Sequence, residues 1–147
     1  MTAVIETIDL TKRYGDFAAV DRLNLEIEEG EIFGFLGPNG AGKTTTIMMF
    51  LGMTSPSAGV ARIHTNDCTH NPRDVKRITG YLPETLGFYG DLSAKENLLY
   101  TASLNNISRK KALSRIEEAL ANVGLAERAT QPVKQYSRGM RQRLGIA

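Results

Sequence analysis

At 147 residues the chain is long enough for one ordinary domain, and its 41% hydrophobic content supplies a core, which excludes intrinsic disorder. The formal net charge of +2 is too small to point to a nucleic-acid partner, and the single cysteine, Cys68, excludes an internal disulfide and suits a reducing cytosol. Met1 to Leu10 has no basic start followed by an apolar core, so no signal peptide is expected, and no apolar run is long enough to span a bilayer.

Residues Val4 to Thr11 read as a first strand, and Lys12-Arg13-Tyr14-Gly15-Asp16 as a turn. Leu23, Leu25 and Ile27 alternate with polar neighbours, which predicts a half-buried antiparallel strand. After the turn at Glu29-Gly30, the short apolar run Ile32-Phe33-Gly34-Phe35-Leu36 predicts a buried strand. Thr46 to Leu51 lacks strand alternation and stops at Gly52, which predicts a helix.

Between that strand and that helix lies Gly37-Pro38-Asn39-Gly40-Ala41-Gly42-Lys43-Thr44-Thr45, which reads G-x-x-x-x-G-K-T, a phosphate-binding loop in the setting the motif needs. Glycines let the backbone curl until successive N–H groups point into one concavity, so Gly37, Asn39, Gly40, Ala41 and Gly42 are candidates for the cradle. The following helix adds unpaired N–H groups and its positive dipole end. Lys43 is expected at the β- and γ-phosphates, the Thr44 hydroxyl on Mg²⁺, and Thr45 at the α-phosphate.

Further on, Ser55 to Gly59 is a loop and Val60 to Ile63 a short strand. Asn71-Pro72 opens a helix, and Ile78-Thr79-Gly80-Tyr81-Leu82 reads as a strand stopped by Pro83-Glu84. Thr85 to Leu92 is a loop. Ser93-Ala94-Lys95-Glu96 fits a capping box for a helix to about Leu104, broken by Asn105-Asn106. From Ser108 a second helix puts Ala112, Leu113, Ile116, Ala119, Leu120 and Val123 on one face and ends at Gly124. Ser137 is a good N-cap for a last helix. The expected division is a β-rich part with the phosphate loop over 1–92, a helical subdomain over 93–130, and 131–147. Arg109, Lys110, Lys111 and Arg115 form the solvated face of the second helix. His64, Cys68 and His70 have no fourth partner nearby for a zinc site.

On these residues the chain resembles the ATP-binding domain of ABC transporters over essentially its whole length. Besides the phosphate loop, Tyr14 resembles the aromatic residue that stacks on adenine, Tyr81-Leu82-Pro83-Glu84 stands at the Q-loop, and Tyr136-Ser137-Arg138-Gly139-Met140 resembles the signature motif. Val20 is either a further apolar contact to the base or plain core. The resemblance implies an α/β fold: a P-loop NTPase core with an N-terminal antiparallel part and an inserted helical subdomain. It implies ATP and Mg²⁺ as cofactors and a catalytic set of Lys43, Glu84 and Ser137. Ser137 and Gly139 would meet nucleotide held by a second subunit, and Thr44 and Glu84 would meet the metal.

Two departures stand out. The Q-loop glutamine is Glu84 here, which can approach Mg²⁺ but cannot donate as an amide does. The L-S-G-G-Q signature keeps only Ser137 and Gly139. Both resemble export-type members whose permeases are separate proteins. The Walker B strand and switch histidine of the family come later than these residues, so the sequence resembles the N-terminal portion of the domain, expected to bind ATP but not to hydrolyse it alone. The implied function is the ATP-hydrolysing subunit of a membrane exporter, at the inner face of the cell membrane. Its partners would be an integral-membrane permease, received near Leu86-Gly87-Phe88-Tyr89, and a second identical or related ATPase subunit in a head-to-tail dimer. The alternative is a soluble ABC ATPase acting on ribosomes or DNA.

Overall fold

A computed structural model describes residues 3–147. The chain divides into two compact units, Met1–Gly80 and Tyr81–Ala147.

The first unit is built on an antiparallel sheet. Strands β1 (Ala3–Tyr14) and β2 (Phe17–Glu28) form a long hairpin closed by Gly15-Asp16, and β3 (Ala58–Ile63) and β4 (Asn66–Asp67) complete the order β2-β1-β3-β4. The stretch expected as a turn at Lys12 to Asp16 is therefore mostly strand, with only its last two residues outside the ladder. Helix α1 (Lys43–Phe50) follows the phosphate loop, and α2 (Pro72–Ile78) starts with Pro72 in its first turn. Asn71 occupies the cap position of α2 without a side-chain hydrogen bond. Leu10, Val20, Met49, Phe50, Ile63 and Val75 join the two helices and the sheet into one core.

Two expected strands are absent. Residues 32–36 form no ladder, and Ile32 and Leu36 are 100% and 91% exposed. Residues 78–82 divide between the end of α2 and an irregular segment. Both runs have strand composition, but a strand exists only where a neighbour accepts and donates its backbone hydrogen bonds. The described sheet offers neither run such a neighbour. Phe33 and Phe35 instead lie at an apolar cavity of about 330 Å³ lined also by Ile5, Leu25, Ile47 and Phe50.

The second unit is helical: α3 (Ala94–Leu104), α4 (Arg109–Asn122) and α5 (Arg138–Ile146), with two short 3-10 turns between the last two. The capping box forms as the sequence predicts, with Ser93 Oγ accepting from the Glu96 amide at 3.2 Å and Glu96 Oε2 accepting from the Ser93 amide at 2.7 Å. Helix α4 ends in a left-handed Gly124, and the Leu125 amide returns to the Leu120 carbonyl at 2.7 Å while both leucines bury. Ala112, Ile116 and Leu120 of α4 pack with Ala94, Val133, Tyr136 and Leu144 into a second core.

Sequence reasoning missed the polar centre of this unit. Asn97 is buried in α3, accepts from the Tyr89 amide at 2.9 Å, and donates to the carbonyls of Tyr89, Leu92 and Ser93. It thereby closes the loop before α3 onto the helix. Asn97→Ala is expected to cost about 2–4 kcal/mol in a urea titration, because the buried loop groups lose their partner. Ser93→Ala removes one cap and is expected to cost about 1 kcal/mol. Hydrogen bonds from the Ser93 hydroxyl and amide hold the Glu96 carboxyl below its ordinary value. The cap's ionic part is therefore present above the ordinary carboxylate value and is lost as pH falls through the depressed one. A Glu96→Gln variant is expected to lose less stability than the parent over that acid window.

Candidate functional site

The phosphate loop is anchored from below. Gly42 is the N-cap of α1 in a left-handed conformation, and a Cβ placed there would collide with the Ala19 carbonyl oxygen and stand 3.0 Å from Val20 Cγ2. No other residue type enters this contact without moving β2. The Ala41 amide turns back to the Pro38 carbonyl at 3.2 Å, and the first helical bond runs from the Thr46 amide to the Gly42 carbonyl at 2.9 Å. The amides of Lys43, Thr44 and Thr45 therefore precede the helical ladder and are free by position to meet an anion. The buried Thr46 hydroxyl also donates to Gly42, at 3.0 Å, which locks the loop to the helix.

Lys43 lies back across the loop. Its Nζ donates to the carbonyls of Gly37 at 2.6 Å and Pro38 at 2.7 Å, which places the ammonium over the concavity. Thr44 is exposed in the first turn of α1, and that turn carries no acidic residue. The donor set fits a polyphosphate with Mg²⁺: amides and an ammonium for the phosphate oxygens, and one hydroxyl for a metal otherwise held by phosphate and water. Asn39, Gly40 and Ala41 form the exposed rim.

Tyr14 ends β1 with its ring exposed, and Lys12 Nζ stands 5.2 Å from the ring centroid. Lys12 is the ladder partner of Val20, which stands against Gly42, and Tyr14 pairs with Phe17 at the end of the hairpin. Val20 itself is a member of the first core.

Glu84, Ser137 and Gly139 belong to the second unit. Ser137 caps α5, its Oγ accepting from the Met140 amide at 3.2 Å, and no atom crowds Gly139. Tyr136, which opens the stretch that resembles the signature, is buried and donates to the Arg128 carbonyl at 2.6 Å, and burial raises its phenol above the ordinary value. Glu84 faces this helix, with Oε1 3.1 Å from Arg138 Nη2. The sequence shows no sign of that pairing, because the two residues are 54 positions apart. His70 Nδ1 lies 3.0 Å from Asp67, while Cys68 is buried in the first core and its thiol is pushed up to about 11 by desolvation.

The family model described as ABC transporter matches residues 20–147. The chain belongs to the ABC transporter family. It is 46% identical to the bacitracin transport ATP-binding protein BcrA of Bacillus licheniformis across all of this chain and 47% of that protein. It is 38% identical to the daunorubicin/doxorubicin resistance ATP-binding protein DrrA of Streptomyces peucetius across 99% of this chain and 44% of that protein. The chain thus spans about half the length of the curated relatives it matches. A solved structure described as an ATP binding subunit of an ABC transporter superposes with a TM-score of 0.77 at 27% identity, over 97% of this chain and 59% of that one. The α/β fold class read from the sequence is that of this ABC subunit. Among the described residues no helix is long and apolar enough to cross a membrane.

The Gly42 contact is the structural test of the loop. Gly42→Ala is expected to destabilise the protein by more than about 1 kcal/mol, through the positive φ and the Ala19 collision together. Gly40→Ala, with a positive φ but open space around it, is expected to cost less. Urea midpoints of the two variants measure the difference.

Proposed function

We propose that this chain is the nucleotide-binding part of an ATPase subunit that powers an ABC-type membrane exporter. The observation that carries the reading is the loop at Gly37 to Thr45: a glycine cradle fixed on β2, free helix-start amides, and Lys43 held over the concavity. In this reading Lys43 leaves the two carbonyls for the β- and γ-phosphates, Thr44 meets Mg²⁺, and Thr45 meets the α-phosphate. Tyr14 stacks on the base, with Val20 as apolar support beneath Gly42. Glu84 approaches the metal or the attacking water. Ser137 and Gly139 offer the exposed start of α5 to nucleotide on a second subunit, so that two subunits close head to tail on two ATP molecules.

The names of the relatives, for bacitracin transport and for daunorubicin and doxorubicin resistance, support an export role beside a permease. Such a subunit works at the cytoplasmic face of the membrane. The exposed pair Tyr89 and Tyr100, edge to face at 5.2 Å, is the surface we assign to the permease. Hydrolysis needs a held metal, an oriented water and charge stabilisation at the γ-phosphate. No carboxylate pair or histidine follows the signature within these residues, so the isolated residues 1–147 are expected to bind without turnover.

Calorimetric titration tests the binding site. Lys43→Ala is expected to lower Mg·ATP affinity at least about tenfold, since it removes a charge-assisted contact. Equal affinity in variant and parent would sink the assignment. Tyr14→Ala is expected to weaken ATP and ADP alike by about 1 kcal/mol, and Tyr14→Phe to be nearly silent, because stacking ignores both phosphate number and hydroxyl. Phosphate release by residues 1–147 at the rate of a complete ABC ATPase, abolished by Lys43→Ala, would overturn the expectation of binding without turnover.

A further inference from the structure

Helix α5 holds the segment Leu82 to Leu86 at three points along one face. Arg138 Nη2 is 3.1 Å from Glu84 Oε1. One turn on, Gln142 Nε2 donates to the Glu84 carbonyl at 2.9 Å. Further along, Gly145 lies under two leucines; a Cβ there would come to 2.6 Å from Leu86 Cδ1 and 2.7 Å from Leu82 Cδ1. Residues 138, 142 and 145 share a helix face by their spacing. Side chain, main chain and apolar flanks of one segment are thus held from one helix.

The three contacts do different work. The glycine seat and the Gln142 bond fix where the segment lies. Arg138 and Glu84 are exposed at 79% and 84% of their side chains, so their pair adds little to global stability. What the guanidinium does decide is the direction of the Glu84 carboxylate.

We propose that Arg138 is a positioning residue that acts through Glu84. It ties the carboxylate to α5, so that the reach of Glu84 toward metal or water is set by the helix that carries Ser137. This rests on the role proposed above for Glu84. It adds a residue that acts on the reaction through another side chain.

The test uses the full-length protein and the variants R138A, R138K, E84A and R138A/E84A. Two quantities are read: the Kd for Mg·ATP and kcat. R138A is expected to lower kcat by about two- to fivefold, the range of an exposed ion pair, at unchanged Kd. R138K is expected to recover part of kcat. The double variant is expected to match E84A in kcat, because Arg138 has nothing left to position. Unchanged kcat in R138A, or losses in kcat that multiply in the double variant, overturns the proposal while the ATP site stands. An E84A variant with full turnover overturns the role of Glu84 and this proposal with it. A parent that fails to bind Mg·ATP overturns the function itself.

Discussion

The approach of Gly42 to the backbone of β2 is the contact on which the geometry of the phosphate loop depends. It brings the end of the phosphate loop onto Ala19 and Val20, and only a residue without Cβ and at ease with positive φ fits there. From that point the helix starts, and Thr46 fastens its first turn to the same glycine carbonyl. The loop amides are therefore aimed by the hairpin and not by the loop itself, whose residues from Gly37 to Ala41 are exposed. Met49 and Phe50 on the buried side of α1 hold the helix down on the sheet. Each such side chain contributes roughly 1.5–3 kcal/mol on burial, more than any exposed ion pair of the chain.

The second unit solves a different problem with the same means. Its helices are short, so their ends must be satisfied locally: the capping box at Ser93, the turn of the chain at Gly124, and the Ser137 cap. Asn97 extends this inward, spending a buried amide on three loop carbonyls and one amide. Loop, cap and helix become one piece, and Phe88 packs against the core from that loop. The exposed Tyr89 is thereby fixed in place although it lies outside any helix.

The sequence made legible whatever is decided over a few residues. Capping box, helix stop at Gly124, the β2 alternation and the phosphate-loop motif all depend on neighbours within one or two turns, and the structure has each of them. The strands at 32–36 and 78–82 were legible only as composition. Whether such a run becomes a strand depends on a ladder partner, and none of the described strands accepts either run. Asn97 was illegible because a buried asparagine and a surface one have the same letter; only the fold shows which groups surround it.

The pairing of Glu84 with Arg138 belongs to the same class of hidden fact, and it changes how two odd residues are read. Taken singly, a carboxylate in the stretch that resembles the Q-loop and an arginine in the one that resembles the signature are each departures from the pattern they resemble. A carboxylate accepts and cannot donate, so it gains most from a neighbour that only donates, and guanidinium is such a neighbour. An amide at position 84 would satisfy itself with water or backbone and leave Arg138 without a charge to meet. The two departures therefore make physical sense together: the charge at Glu84 is matched on the helix that bears Ser137, at a distance of 3.1 Å.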